Sequence, residues 1–133
     1  MEIINGYTIA ILGLGFCSVL AFCQLLVADF AGIAAKHTPG SPVAGGHESF
    51  HFRACRAHAN LNESISIFIL LSLFAILSGG DVEQTGYAVW SYLGFRLLHA
   101  LFYYFNVQLM RSVAFGLSLI PLAWLFVIGL RSL

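Results

Sequence analysis

Hydrophobic residues dominate four long segments of this chain, and polar residues concentrate in the breaks between them. The segments cover about residues 3–35, 49–78, 83–107 and 112–131. An α-helix rises about 1.5 Å per residue, so each segment is long enough to cross the roughly 30 Å hydrocarbon core of a bilayer. The apolar runs are continuous rather than alternating, which excludes a membrane β-barrel. The pattern predicts an all-α integral membrane protein, a bundle of four transmembrane helices.

The breaks between the segments contain turn-forming residues. The first break, residues 38–46, is the only extended loop and is rich in Gly and Pro. Residues 78–81 form a short turn, and the third break, around Met110, is tighter still. We expect a single domain over residues 1–133, with a kink at Pro121 in the last helix.

Composition supports the membrane assignment. The chain has 133 residues, of which 59% are hydrophobic and 9% are charged. Soluble domains are roughly a quarter charged, so too few polar residues remain here to cover a soluble globule. The net charge is zero and no basic run is present, so no nucleic-acid partner is expected. The first apolar stretch lacks a basic flank, so a cleaved signal peptide is not expected.

Basic residues are unevenly distributed between the two ends of the predicted bundle. The first and third breaks share one side of the membrane, where Lys36 and Arg111 lie and two further arginines adjoin. The opposite side has three acidic residues and only one basic residue, Arg131. The positive-inside rule therefore predicts that the first and third breaks face the cytosol, in a bacterial inner membrane or the endoplasmic reticulum.

The second segment contains a stripe of polar residues. Arg53, Arg56, Asn60 and Glu63 follow at i, i+3, i+7 and i+10, which places them within an arc of roughly 80° on a helix. Ionisable groups in hydrocarbon are costly and are seldom present without a partner or a function. This stripe is therefore a candidate binding site.

The third segment has a matching stripe of Tyr92, Arg96, His99 and Tyr103. Counted inward from the outer helix ends, Glu63 and Arg96 both lie roughly 18–21 Å deep. The pairs expected at equal depth are Glu63 with Arg96, Asn60 with His99, and Arg56 with Tyr103. An ion pair between Glu63 and Arg96 would form the floor of a cavity that opens to the cytosol.

Such an ion pair would leave Arg53, Arg56 and Arg111 in excess, since Asp29 and Glu48 are the only acids nearby. Guanidinium groups remain charged and bind carboxylates in a bidentate manner. A small cytosolic ligand with several carboxylates fits this excess. The simpler alternative is a charge-paired helix contact that only fixes packing.

These motifs resemble those of the MAPEG family, the membrane-associated proteins in eicosanoid and glutathione metabolism. The resemblance rests on Arg53-x-x-Arg56-Ala-His-x-Asn60-x-x-Glu63, on Arg96-x-x-His99-x-x-x-Tyr103, and on the pair Arg111-Ser112. It covers about residues 48–130. Positions where relatives often have Tyr are occupied by Phe115 and by residues 64–66, Ser-Ile-Ser.

The resemblance implies a homotrimer that binds glutathione between subunits, from the cytosolic side. Arg53 and Arg56 would contact glutathione carboxylates or shape the pocket, and Asn60 and Glu63 would hold its backbone and amino end. The residues that would line the rest of the pocket are Arg96, His99 and Tyr103. Arg111 would stabilise the thiolate, with Ser112 beside it.

A fixed cation next to a thiol lowers its pKa and so activates it for attack. Lipophilic electrophiles or lipid hydroperoxides could then approach from the membrane lipid. The resemblance therefore implies a membrane-bound glutathione transferase or peroxidase. A non-catalytic MAPEG member that binds lipid or a partner protein is one alternative. A small multidrug-type transporter is another, although its expected acidic residue would have to be Asp29, and the arginine excess suits anions.

Histidines and a cysteine follow the opposite face of the second helix, if that helix reaches back to residue 47. They are His47, His51, Cys55 and His58. Because they span about 16 Å of helix, one ion could contact at most a neighbouring pair, and no metal site is expected. Asp29 is expected to pair with Lys36 or with an arginine across the trimer, and contact with a ligand is the alternative.

Overall fold

The computed structural model describes residues 6–133, which form four helices and no strand. The helices are α1 (Thr8–Ala34), α2 (Phe50–Leu77), α3 (Val82–Tyr104) and α4 (Gln108–Leu130). Of these, α1, α2 and α4 are long and apolar enough to cross a membrane. The prediction of an all-α membrane bundle is confirmed, while the expected start of the first helix near residue 3 lies outside the described residues.

The two middle helices form the centre of the bundle. Both α1 and α4 pack against α2 and α3, which also pack against each other. Large apolar side chains remain exposed on every helix, including Phe30, Leu70, Leu97 and Ile120. Such a surface suits lipid rather than water.

Close contact between α1 and α3 depends on a glycine. A Cβ atom added at Gly13 would lie 2.4 Å from Cγ1 of Val89, so no larger residue fits there without movement. One turn away, the Trp90 indole Nε1 donates a 3.0 Å hydrogen bond to the backbone oxygen of Ile9. Near the same end of the bundle, the Tyr7 hydroxyl donates to the backbone oxygen of Gly80.

The junction between α3 and α4 is shorter than predicted. The third helix ends at Tyr104, not near residue 107, and α4 begins at Gln108, not at residue 112. Asn106 adopts a positive φ of 58°, a conformation that asparagine tolerates better than most residues and that commonly ends a helix. As a consequence, Arg111 lies in the first turn of α4 rather than in a loop.

The last helix continues through Pro121, which is buried inside it. Proline has no backbone N–H, so the usual hydrogen bond to the carbonyl four residues earlier is missing at this position. Upstream, the Ser118 hydroxyl donates a 2.6 Å hydrogen bond to the backbone oxygen of Phe115.

Candidate functional site

The turn before α2 is held by its own side chains. Ser49 caps the helix, with its hydroxyl oxygen 3.4 Å from the Phe52 backbone nitrogen. The Glu48 carboxylate accepts a 2.9 Å hydrogen bond from the Gly46 backbone nitrogen. Hydrogen bonds from the backbone of Glu48 and of Gly46 lower the pKa of the Glu48 carboxyl. Residues 46–49 therefore form a defined turn that fixes the position of His47.

Arg53 binds backbone carbonyls of this turn and of α3. Its Nη1 lies 2.6 Å from the His47 oxygen and 3.0 Å from the Glu48 oxygen. Its Nη2 lies 3.3 Å from the oxygen of Tyr104, at the end of α3. The terminal guanidinium nitrogens of Arg53 thus link the turn, α2 and α3 to one another.

Arg111 is half-buried and is contacted on two sides. The Arg111 guanidinium carbon lies 4.6 Å from the centre of the Tyr103 ring, in cation–π geometry. Its Nη1 is 3.0 Å from Nδ1 of His47, and its Nη2 is 3.3 Å from Nε2. Ser112 is not part of this cluster, because it is exposed and its hydroxyl donates to the Gln108 backbone oxygen at 3.3 Å.

A continuous series of contacts leads from Arg111 into the bundle. The rings of Tyr103 and His99 are 5.0 Å apart, and those of His99 and Phe115 are 6.1 Å apart. The Arg96 guanidinium carbon lies 5.7 Å from the Phe115 ring centre. We call this series, completed by Asn60, the polar file: Asn60, Arg96, Phe115, His99, Tyr103 and Arg111. It brings together side chains from α2, α3 and α4.

Arg96 is the most deeply buried member of the polar file, with 1% of its surface exposed. Its Nη2 donates a 2.8 Å hydrogen bond to Oδ1 of Asn60, while its Nε and Nη1 have no partner among the described residues. The predicted ion pair with Glu63 is wrong, since Arg96 binds Asn60 and Glu63 is exposed. A buried guanidinium with unpaired donors carries a large desolvation cost.

The register between α2 and α3 also differs from the prediction. Asn60 lies beside Arg96, and the hydroxyls of Ser64 and Tyr92 are 2.7 Å apart. The predicted pairing is therefore displaced by three residues, about 4.5 Å along the helix. The cause is that the chain folds back over the last turn of α2, where Gly80 donates a 2.8 Å hydrogen bond to the oxygen of Ala75. The ends of α2 and α3 are consequently not level.

Two predicted site residues lie on the outer surface of the chain. Arg56 and Glu63 are exposed. Asn60, between them on the same face of α2, is half-buried and reaches inward to Arg96. The predicted stripe thus divides into an inner part and an outer part.

A separate cleft of about 500 Å³ lies where α1, residues 37–43 and α2 meet. Its polar lining residues are Asp29, His37, His51 and Cys55. The His37 and His51 rings are 4.8 Å apart. Within the part of the chain that the structure describes, Asp29 does not pair with Lys36. In the same part, no group of three or more His, Cys, Asp or Glu residues could hold a metal ion.

Sequence reasoning missed three polar or aromatic residues. It considered His47 only on the condition that the second helix reached back to residue 47, whereas the helix begins at Phe50 after the capping residue Ser49. It treated Phe115 as a departure from a pattern, whereas its ring joins His99 to Arg96. It did not consider Gln24, which is 2% exposed and whose two amide atoms have no partner among the described residues.

The fold and these residues define a helical membrane protein with a cationic polar file between its helices. The model of the MAPEG family matches residues 7–131, nearly the whole chain, and the protein belongs to this family. Family membership makes it a membrane protein of the eicosanoid- and glutathione-metabolising group. No curated protein and no solved structure matches the chain.

Proposed function

We propose that this protein is a membrane-bound glutathione-dependent transferase or peroxidase that acts on lipophilic electrophiles or lipid hydroperoxides. The outward face of α2 carries the proposal, because Arg56 and Glu63 are exposed on a helix apolar enough to span a membrane. Charged groups facing hydrocarbon are costly, so this face needs a polar cover. Glutathione, with two carboxylates and one ammonium group, offers charges of both signs.

Further copies of the chain would complete the polar surroundings of the outward face of α2. In this proposal, three protomers assemble as a homotrimer and glutathione lies between neighbours, at the end of the bundle that carries residues 35–49. Arg56 would bind a glutathione carboxylate, and Glu63 would bind its ammonium group. Arg53 would shape the pocket through the turn that it holds. The basic residues at this end support a cytosolic orientation.

Arg111 would stabilise the glutathione thiolate. A cation beside a thiol lowers the thiol pKa and raises the thiolate fraction at neutral pH. With an aryl halide, the sulfur attacks the ring carbon and halide leaves with the electron pair of the broken bond. With a lipid hydroperoxide, the thiolate attacks the terminal oxygen and releases the alcohol, and a second glutathione reduces the resulting sulfenic acid to the disulfide and water.

Thermal unfolding in detergent, with and without glutathione, tests the binding step. We expect glutathione to stabilise the wild-type protein in a concentration-dependent manner, because it binds only the folded state. Arg56→Ala should weaken this stabilisation. Arg131→Ala is the matched control, since Arg131 is exposed at the opposite end of the bundle. Equal stabilisation of all three proteins would contradict the site, and none in wild type would contradict glutathione binding.

The ultraviolet absorbance of the thiolate tests activation. We expect a thiolate band on adding glutathione to wild type and its loss in Arg111→Ala. Turnover with an aryl halide and with a lipid hydroperoxide would then distinguish transferase from peroxidase activity.

A non-catalytic MAPEG member is the second candidate function. It is favoured by one observation, that Phe115 provides no hydroxyl group to the polar file. A non-catalytic function predicts that glutathione or lipid stabilises the protein against thermal unfolding, with no thiolate band and no turnover.

A further inference from the structure

The turn before α2 contains a histidine whose two ring nitrogens both face one functional side chain. His47 is half-buried, and both of its ring nitrogens lie within 3.3 Å of the Arg111 guanidinium. A neutral imidazole has a single acceptor nitrogen, whereas a protonated one has none. Arg111 can only donate, so one of these two nitrogens acts as the acceptor, and the shorter contact, 3.0 Å from Nη1 to Nδ1, favours Nδ1.

The position of His47 is itself fixed. Its backbone oxygen accepts a 2.6 Å hydrogen bond from Arg53. Its ring lies edge-on to Phe52, with centroids 5.2 Å apart, and 6.2 Å from the Tyr103 ring. The charged and titratable groups around it are thus Arg53 and Glu48 from its own turn and α2, Tyr103 from α3, and Arg111 from α4.

An arginine in the first turn of a helix has several rotatable bonds and costly rotamer entropy to lose. The Tyr103 ring holds the Arg111 guanidinium by cation–π attraction, with the guanidinium carbon 4.6 Å from the ring centre. That attraction does not determine which way each guanidinium nitrogen points, but a hydrogen bond to one nitrogen does. With Nη1 held by His47, the other guanidinium N–H groups point in a defined direction.

We propose that His47 is a positioning residue for Arg111 and sets its orientation toward the glutathione thiolate. This inference rests on the proposed function, in which Arg111 stabilises that thiolate. In this proposal His47 does not need to touch glutathione or the electrophile. It acts through the hydrogen bond from Arg111, and Arg53 supports it by holding the turn.

Two substitutions separate the hydrogen bond from the ring. His47→Phe keeps a ring beside Phe52 and Tyr103 but removes the acceptor, and His47→Asn keeps an acceptor near Nδ1 but removes the ring. The readout is the pKa of the thiol of bound glutathione, from the ultraviolet thiolate band as a function of pH. We expect His47→Phe to raise that pKa and to reduce thiolate at neutral pH about three- to tenfold. His47→Asn should stay close to wild type.

Two comparisons exclude a merely structural effect. His37→Ala removes another histidine of the same loop, which contacts His51 rather than Arg111, and should leave the thiol pKa unchanged. In an Arg111→Ala background, His47→Phe should not change the thiol pKa further, because His47 acts only through Arg111, which is absent. Should His47→Phe fail to fold, His47→Ala replaces it in the same series.

The results distinguish the inference from the function on which it rests. If wild type shows no thiolate band with glutathione, the proposed function fails and the inference fails with it. If wild type shows the band and His47→Phe has the wild-type thiol pKa, the inference alone is overturned. An equal loss in His47→Asn and His47→Phe would also overturn it, since the ring and not the acceptor would then matter.

Discussion

Asn60 Oδ1 is the only side-chain acceptor that the buried Arg96 guanidinium has among residues 6–133, at 2.8 Å from Nη2. One amide oxygen on α2 thus accepts the hydrogen bond that a buried cation on α3 donates. Removing one partner of a buried charged hydrogen bond costs more than the bond itself contributes, because the other group is left desolvated and unpaired.

We therefore expect Asn60→Ala to lower the free energy of unfolding by about 1–3 kcal/mol. Asn60→Asp keeps the acceptor and should recover most of the loss. Asn62→Ala is the matched control, because Asn62 is exposed and its side chain bonds to His58 on the same helix; it should change stability by less than about 0.5 kcal/mol. Unfolding in detergent measures all three variants. Equal losses in Asn60→Ala and Asn62→Ala would show that Arg96 does not depend on this bond.

A second interhelical contact tests the observed register. The Ser64 and Tyr92 hydroxyls are both buried and lie 2.7 Å apart. A double-mutant cycle with Ser64→Ala and Tyr92→Phe should give a coupling of about 0.5–1.5 kcal/mol. The single Ser64→Ala change should cost more than the double change, because it leaves the Tyr92 hydroxyl unpaired. Strictly additive effects would be inconsistent with this pairing.

The contact between α1 and α3 leads to a third prediction. Gly13→Ala would place a methyl group 2.4 Å from Cγ1 of Val89, and we expect a loss of about 1–3 kcal/mol from overpacking. Adding Val89→Ala should restore part of that loss. By contrast, Gly94→Ala meets nothing within 4 Å and should be neutral or stabilising by up to about 1 kcal/mol, as expected for glycine in a helix. Similar effects at both glycines would rule out close contact at Gly13.

Arg53 gives a prediction about dynamics rather than global stability. A lysine has one point charge and cannot reach three carbonyl oxygens in the manner of a guanidinium. We expect Arg53→Lys to accelerate hydrogen–deuterium exchange across residues 46–49 by about tenfold, the loss of a little over one kcal/mol of local stability. Arg56→Lys, on the exposed face of the same helix, should leave that exchange unchanged. Unaltered exchange in Arg53→Lys would mean that its carbonyl contacts do not hold the turn.

Helix number, helix type and most of the polar file were predictable from sequence, because apolar run length and the spacing of Arg96, His99 and Tyr103 depend on helix geometry alone. The register between α2 and α3 was not, since it depends on how far the chain folds back over Ala75 before α3 begins. Nor could spacing show that Arg53 binds backbone oxygens, because any nearby carbonyl competes with a ligand carboxylate for a guanidinium. The sequence left open whether His47 belongs to α2 or to the turn before it, because only three residues separate it from the start of the helix.

Only residues 105–107 separate α3 from α4, and this short connection links the angular positions of the two helices. Each residue of an α-helix turns the chain by about 100°. A single residue inserted after Gln108 would therefore turn Arg111 by about 100° relative to the start of α4, away from the Tyr103 ring. Phe115 and the buried Leu125 lie on the same helix, so they would turn with Arg111 and leave the bundle. The length of the connection thus sets the rotation of the whole helix about its axis. Single-residue insertions and deletions here should thus be far less tolerated than in the Gly- and Pro-rich segment 38–46, whose length sets no helical phase.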